Sequence, residues 1–329
     1  MTIQEIAALA GVSVATVSRV INDSKTVSEK TRAHVLAVMQ EHNYAPNLLG
    51  RHLRTQQTRI VLVILTSISN FFCNRVVNGI DEEARKNGYH TLICMTNDDP
   101  EIERSYIDLL RNGLADGAII MSSTMTEKEM HDLAKRYKVV QCSEYVDKKS
   151  PYVTINNEQA AYDAVNYLIK SGRKRIAYCG VKNHMISSKA RYKGYIRALK
   201  ENGLEPDNSI IFDGDYGFRS AYRLTEEHIK AGAKFDGLFS ISDRMASGAV
   251  NALQSCGLRV PDDVAVVGFD NTDAAYMTTP PLTTVSQPRR ELGAEAMKSL
   301  LERFEGKIPE NKILKHELIL RKSTNNQEG

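Results

Sequence analysis

The spacing of apolar positions changes near residue 59 and predicts two kinds of structure in one chain. Before that point apolar residues recur every three or four positions, which is the period of amphipathic helices. After it, short continuous apolar runs alternate with amphipathic stretches, and this alternation is typical of parallel βαβ units with helices on both sheet faces. The predicted strands are 60–65, 91–95, 117–121, 175–179, 237–241 and 264–269, and the predicted helices that alternate with them are 76–87, 101–112, 158–171, 190–202, 218–231 and 244–256.

Two short helices are predicted at the N-terminus. Thr2 and Glu5 have the Thr-x-x-Glu spacing of a capping box, so the first helix begins at residue 3. Gly11 ends that helix, because glycine accepts the left-handed conformation that follows a helix C-terminus. Ser13 is a natural N-cap for a second helix that runs to about Asn22. The two helices and their tight turn predict a helix-turn-helix, and the second has the right length to enter a major groove.

The second helix has two different faces. Val17, Val20 and Ile21 fall on one side and are predicted to pack against the first helix. The opposite side points outward and carries Val14, Ala15, Ser18 and Arg19. On this pattern alone the alternative is an ordinary helical hairpin at the end of a larger domain, because motif matches carry false positives.

A third amphipathic stretch, between about residues 23 and 45, is predicted to brace the first two helices. Val35, Val38 and Met39 lie on its apolar side, and Pro46 follows its end. Its basic residues are either contacts to DNA phosphates or part of a solvated surface: Lys25, Lys30 and Arg32.

Composition narrows the class of protein. The 329 residues suggest two or three units, and 43 basic against 40 acidic residues give a net charge of only +3. Any contact with nucleic acid must therefore come from a local patch. The five cysteines are scattered without a CxxC pair, and we predict reduced thiols rather than disulfides or a zinc site. With no signal segment and no apolar run of about 18 residues, we expect a soluble cytoplasmic protein.

Motifs for catalysis or cofactor binding do not occur. The chain lacks GxGxxG, GxxxxGK[ST], GxSxG and HExxH, and its eight histidines are dispersed without metal-ligand spacing. We therefore predict no catalytic residues, no metal and no cofactor. An enzyme or a plain solute-binding protein on a βαβ scaffold is the alternative, since fold alone does not decide function.

The segments LAGVSVATVSRVIN and VSEKTRAHVLAVMQEHNYAPNLLGRHLRT closely resemble the N-terminal signature of LacI/GalR-type bacterial transcription regulators. The resemblance extends through nearly the whole chain. It implies an all-α helix-turn-helix DNA-binding headpiece at 1–46, a hinge helix or linker at 47–58, and an α/β two-lobed periplasmic-binding-protein-like effector domain at 59–329. One lobe is expected at about 59–158 and 289–316, and the other at about 159–288 and 317–329.

The resemblance also implies which residues contact DNA. Arg19 is expected to read a base, most naturally as a bidentate donor to guanine, with Val14 and Ala15 against thymine methyl groups. Leu53 aligns with the family's hinge leucine, which enters the minor groove and unstacks a base step. Gly50 replaces the usual alanine, which costs about 0.5–1 kcal/mol of helix propensity and makes hinge folding depend more on DNA. The predicted DNA contacts are Thr2, Ser13, Val14, Ala15, Thr16, Ser18, Arg19, Asn22 and Leu53.

Effector contacts follow from the same resemblance. Arg191, predicted just before or at the start of a helix, offers a rigid fork of donors to a ligand. Asp270 follows a parallel strand at its carboxyl end, where it can accept hydrogen bonds from sugar or ribose hydroxyls. Tyr216 is expected to stack on a flat ligand face, and Asp243 is equally well interpreted as a helix N-cap. The predicted effector contacts are Phe72, Cys73, Arg191, Tyr216, Asp243 and Asp270.

One part of the expected pocket departs from the family pattern. Where the family usually has Asn-Pro-Phe-Phe, this chain has Phe71 in place of proline and Cys73 in place of the second phenylalanine. We expect this change to reshape the floor of the pocket.

The implied function is a homodimeric repressor that binds an inverted-repeat operator under the control of a small-molecule effector. Sugars are the commonest effectors of the family. However, the segments at 155–177 and 268–297 are especially similar to the cytidine-responsive repressor branch. A sugar and a nucleoside therefore both stay open as effectors, and the sequence does not show whether the effector induces or corepresses.

Overall fold

The computed structural model describes residues 1–21, 24, 26–44, 57–69, 71–182 and 185–324. The chain forms two compact units, Met1–Thr58 and Arg59–Gly329. The predictions for Asn22, Lys25, Gly50 and Leu53, together with most of the predicted hinge, lie outside the described residues.

The first unit contains the helices α1 (Ile3–Leu9), α2 (Val14–Ile21) and α3 (Glu29–Glu41). The predicted capping box is present, with Thr2 and Glu5 each accepting a hydrogen bond from the other's backbone amide. Gly11 has a φ of +60°, a conformation that a β-carbon disfavours, and it makes the turn into α2. The three helices enclose one small core of Ile6, Ala7, Ala10, Val17, Val20, Val35, Val38 and Met39. The predicted helix-turn-helix is thus confirmed.

Among the described residues, no single helix is long and apolar enough to cross a membrane. The helices α1 and α2 pass that test by length and composition only as a pair, and this pair is bent by 106°.

The second unit begins with a lobe built around a six-stranded sheet. The helices packed in this first lobe are α4 (Phe71–Lys86), α5 (Pro100–Arg111), α6 (Glu127–Arg136) and α12 (Arg289–Phe304). The strands are β1 (Ile60–Leu65), β2 (His90–Met95), β3 (Gly117–Ile120), β4 (Val139–Cys142), β5 (Tyr152–Ile155) and β11 (Lys312–Leu314). Their order is β11-β5-β4-β3-β1-β2, and all of the pairings are parallel.

A second lobe repeats this arrangement. Its helices are α7 (Asn157–Lys170), α8 (Ile186–Glu201), α9 (Phe218–Lys230), α10 (Asp243–Ser255) and the short α11 (Asp273–Met277). Its strands are β6 (Ile176–Gly180), β7 (Ile211–Asp213), β8 (Gly237–Ser240), β9 (Ala265–Asp270), β10 (Thr283–Ser286) and β12 (Glu317–Ile319). The order is β12-β10-β9-β8-β6-β7, and β12 is an antiparallel strand on an otherwise parallel sheet.

The strand order positions a binding site between the lobes. In the first sheet β1 lies between β2 and β3, and in the second sheet β6 lies between β7 and β8. The strand order therefore reverses its direction across each sheet at β1 and at β6. Loops that leave the carboxyl ends of strands at such a reversal diverge and form a crevice in which α/β proteins bind ligands. The chain crosses between the sheets after β5, after β10 and after β11, so the lobes share three connections.

Element boundaries differ from the predictions where the period is weak. The helix predicted to start at residue 76 begins at Phe71, and the one predicted from residue 190 begins at Ile186. Strands that the apolar runs did not reveal are β4, β5, β7, β10, β11 and β12. These strands are three or four residues long, which is too short for an alternation to stand out.

Two glycines let α4 and α12 approach each other closely. A β-carbon on Gly79 would lie 2.0 Å from the carbonyl oxygen of Arg290, and one on Gly293 would lie 2.0 Å from that of Val76. Neither helix backbone can move away without disturbing the sheet that it covers.

We expect Gly293→Ala to lower the free energy of unfolding by about 1–3 kcal/mol, because the added methyl group overpacks this helix crossing. Urea unfolding measures the change. Lys298→Ala, on the exposed side of the same helix, is the matched control and should stay within about 1 kcal/mol of the parent. Equal stability of the two variants would contradict the tight-crossing interpretation.

Candidate functional site

The outer face of α2 is the candidate DNA-reading surface of the first unit. Val14 is 41% exposed, and Ala15 and Arg19 are exposed with it. The inward face is closed, since Val17 and Val20 are buried in the small core. An eight-residue helix with a polar and small-apolar outer face fits the width of a major groove.

Hydrogen bonds set the start of the first two helices in this unit. Ser13 Oγ accepts from Thr16 N at 3.1 Å, which confirms Ser13 as the N-cap of α2. Thr2 N donates to Glu5 Oε2 at 2.7 Å, so Thr2 is held in its own capping box. Thr16 and Ser18 are half-buried, and their roles as DNA contacts stay predictions.

A cleft of about 400 Å³ lies between the two lobes of the second unit. We call it the effector cleft. Five of the six residues predicted to bind the effector line it, and Asp243 does not. The other lining residues are Leu65, Thr66, Ser67, Ser69, Phe71, Asp98, Met121, Ser122, Ser143, Glu144, Asn157, Met185, Ser187, Asp215, Gly217, Ser242, Arg244, Thr272 and Gln287.

Arg191 is held rigidly in the wall of this cleft. Its Nε donates to Asn157 Oδ1 at 2.9 Å, and its Nη1 donates to the Ile241 carbonyl at 2.6 Å. The guanidinium carbon lies 3.7 Å from the centre of the Phe269 ring, a cation–π contact. Arg191 is the sixth residue of α8 rather than its first, because the helix starts at Ile186. The fixed guanidinium can offer its remaining N–H groups to a ligand.

Asp270 closes β9 beside this arginine. Its Oδ1 accepts from Gln287 Nε2 at 2.7 Å and lies 3.8 Å from Arg191 Nη1. The residue has a φ of +105°, in the region that favours glycine, so its backbone is strained. Burial raises the pKa of Asp270 to about 6, although Arg191 opposes the rise. The carboxylate is therefore available to accept ligand hydroxyls at neutral pH.

Arg289 connects this strained turn to the opposite lobe. Its Nη2 donates to the Asn271 carbonyl at 2.7 Å, and its Nη1 donates to the Phe71 carbonyl at 3.1 Å. Arg321 Nη2 also holds Asn271, through Oδ1 at 2.7 Å. Sequence reasoning missed the role of Arg289, because Phe71 and Asn271, the residues that it joins, are far apart in the chain.

Asp243 has a different place from the predicted one. The N-cap of α10 is Ser242, and Asp243 is the first residue of the helix. Its carboxylate is fully buried and accepts from Thr272 N at 2.6 Å and from Thr284 Oγ1 at 2.6 Å. It thus supports the loop behind Asp270 instead of facing a ligand.

The first lobe contributes an aromatic wall at the start of α4. Phe71 is 45% exposed and lines the cleft together with Phe72 and Cys73. Burial raises the pKa of the Cys73 thiol to about 12, so the thiol is neutral at physiological pH. Phe71, which replaces the family's proline, is therefore a cleft residue in its own right.

Tyr216 lines the cleft from the second lobe with a φ of +62°. Its hydroxyl forms a short hydrogen bond with Ser188 Oγ in α8. This contact fixes the ring at the rim, where it can cover one face of a ligand.

Glu144 makes a contact between the lobes that the sequence did not predict. Its Oε2 accepts from Ser187 N, in the first turn of α8, at 3.1 Å. The N-cap residue of α8, Met185, makes no side-chain hydrogen bond to the helix, so Glu144 takes the place of a cap. Burial raises the pKa of Glu144. Sequence reasoning missed this contact because the partner of Glu144 lies 43 residues away in the chain.

The polar lining favours hydrogen bonding over binding of an anion. Among the described residues the cleft has four carboxylates against two guanidinium groups, with many hydroxyls between them. The acidic residues are Asp98, Glu144, Asp215 and Asp270, and the basic residues are Arg191 and Arg244. In the part of the chain that the structure describes, no group of His, Cys, Asp and Glu side chains could hold a metal ion.

The raised pKa values predict how stability varies with pH. Burial, and then the charge of Asp270, raise the pKa of Asp243 to about 7. Since the folded protein binds these protons more tightly than the unfolded chain, the free energy of unfolding should fall as pH rises from about 4 to about 7. We expect Asp243→Asn to flatten this fall in denaturant titrations, whereas Asp273→Asn, an exposed control, should preserve it. Identical pH profiles for both variants would contradict the assignment.

Comparison with known proteins identifies the family. Residues 2–47 match the bacterial regulatory proteins of the lacI family, and residues 165–324 match a periplasmic binding protein-like domain. The HTH-type transcriptional regulator RegA of Clostridium saccharobutylicum is 37% identical over 328 residues, which cover 98% of this chain and 99% of that protein.

Two solved structures share the fold over 98% of this chain and 99% of theirs. The Lac repressor dimer bound to operator and the anti-inducer ONPF has a TM-score of 0.90 at 28% identity. The complex of the transcriptional regulator CelR with cellobiose has a TM-score of 0.75 at 28% identity. With a helix-turn-helix unit, a two-lobed α/β unit and relatives of this similarity, the chain belongs to the LacI family of bacterial transcription regulators.

Proposed function

We propose that this protein is a non-catalytic, sequence-specific transcriptional repressor whose operator affinity is set by a small molecule in the effector cleft. The observation that carries the proposal is the presence of both parts in one chain. The exposed face of α2 is suited to a major groove, and Arg191 and Asp270 form a rigid polar pair inside a cleft. We place its action in the cytoplasm, where bacterial operator DNA lies.

The DNA-bound form is proposed to be a homodimer, as in the Lac repressor dimer bound to its operator. Two copies of α2 would then read the half-sites of an inverted repeat that lie about one helical turn apart. Arg19 is the proposed base reader through two donors to a guanine edge. Leu53 of the hinge segment is the proposed minor-groove wedge.

The effector is proposed to be a neutral molecule rich in hydroxyl groups, either a sugar or a nucleoside. CelR, a structural relative, binds the sugar cellobiose. An excess of carboxylates in the lining disfavours a phosphorylated ligand. Ligand hydroxyls would donate to Asp270 and accept from Arg191, while Phe72 and Tyr216 would cover apolar faces.

Control of DNA binding is proposed to act through the contacts that join the lobes. Glu144 and Ser187 are bonded across the cleft, and Arg289 joins Phe71 to Asn271. An effector that fits between the lobes would strengthen or replace these bonds and so shift one lobe against the other. The sign of regulation depends on which lobe arrangement the ligand prefers.

An operator selected from a random duplex library tests the DNA part. We expect Arg19→Ala to weaken binding by about 1–3 kcal/mol and to relax specificity at one base pair of each half-site. Lys30→Ala, an exposed change at the start of α3, is the comparison. It should weaken all duplexes alike and reduce the salt slope by about one, as loss of a phosphate contact does. Unchanged affinity and selectivity in Arg19→Ala would refute the base-reading role.

Thermal melting of the full chain with matched panels of nucleosides and sugars tests the effector part. At about one hundred times its dissociation constant a ligand adds about 2.7 kcal/mol, enough to raise the melting temperature by roughly 5 °C or more. Asp270→Asn should abolish this rise, and Asp273→Asn should keep it. If no compound of either panel changes the melting temperature, the proposed effector classes are wrong. If the rise in melting temperature persists in Asp270→Asn, the ligand does not depend on Asp270 and binds elsewhere in the protein.

A further inference from the structure

We propose that the second lobe holds another ligand site, separate from the effector cleft, for a small aromatic anion. A cavity of about 430 Å³ lies at the carboxyl ends of β6 and β7, against the first half of α8. We call it the helix cavity. Its size is within the range of small-molecule sites, and it shares no lining residue with the effector cleft.

Aromatic side chains determine the shape of the helix cavity. The Tyr178 and Tyr192 rings lie edge to face with centroids 5.1 Å apart and an angle of 73°. Gly180 makes room for this pair, because a β-carbon there would lie 2.1 Å from Tyr178 Cε1. Tyr192 is 37% exposed, so its ring has an open side on which another flat ring can pack.

A buried hydroxyl beside this cavity has no hydrogen-bond partner among the described residues. Tyr178 is only 4% exposed, and its Oη has no hydrogen bond within the described part of the chain. Buried polar groups almost always have a partner, so an acceptor on a guest would give this hydroxyl the hydrogen bond that the described residues do not. Neighbouring atoms cover the hydroxyl, so a guest reaches it only when one of them moves.

The rim supplies positive charge. Lys182 and Lys189 are exposed at the cavity, and neither forms an ion pair with the described residues. Asp213, the acidic residue of the lining, already accepts from the Lys182 backbone amide at 2.7 Å. Two ammonium groups against one occupied carboxylate favour an anion at the mouth. A flat ring that bears a carboxylate matches both the walls and the rim.

Titration of the full chain with 2-naphthoate tests the site, and calorimetry and ligand-observed NMR measure the binding. We expect one molecule to bind per chain. Tyr192→Ala should weaken binding about tenfold through lost ring contact, and Lys189→Ala about threefold at low salt. Lys193→Ala is the matched control, because its ammonium lies near Glu158 and outside the cavity lining, so binding should not change.

Two further comparisons separate the outcomes. The neutral analogue 2-naphthylmethanol should bind more weakly than 2-naphthoate, and added salt should reduce the difference. Arg244→Ala, in the effector cleft, should leave naphthoate binding unchanged. No binding at about 1 mM naphthoate, or binding that Arg244→Ala weakens and Tyr192→Ala does not, would overturn the proposal. Neither result bears on the effector panel, which reports on Asp270.

Discussion

The guanidinium of Arg191 is the fixed point on which the effector cleft depends. A buried charge is costly unless it is hydrogen-bonded, and here an amide oxygen, a backbone carbonyl and an aromatic face surround it. Its partners come from three elements of the second lobe: Asn157 in α7, Ile241 after β8, and Phe269 in β9. Because the arginine needs all three, their positions relative to one another are fixed with it, and the strained backbone of Asp270 is held at its side.

Polar contacts join the first lobe to this rigid centre. Glu144 bonds to the start of α8, and Arg289 reaches the backbone on both sides of the cleft. Buried apolar residues of both lobes also belong to one continuous cluster, but hydrogen bonds such as these can be exchanged for bonds to a ligand at low cost. In the mechanism proposed above, a polar ligand would therefore act first on these hydrogen bonds.

Much of this architecture could be predicted from the local sequence pattern. The parts that could not be predicted have one cause in common. The strand Ile60–Leu65 is a continuous apolar run with clear ends, so its prediction was correct to the residue. Asp243 was placed at a helix start, which is nearly right, but its buried bonds go to Thr272 and Thr284 on later elements. Glu144 was missed for the same reason, because its partner lies 43 residues away. Periodicity reports which face of an element is buried, and it carries no information on what a polar side chain meets across the fold.

The first half of α8 carries contacts in three directions within less than two turns. Ser187 faces Glu144 of the other lobe, Ser188 holds Tyr216, and Arg191 anchors the cleft. A change of ligand specificity by drift at one of these positions would disturb the contacts made by its neighbours. A new ligand specificity would therefore disturb fewer contacts if it came from the loops that face α8 than if it came from the helix itself.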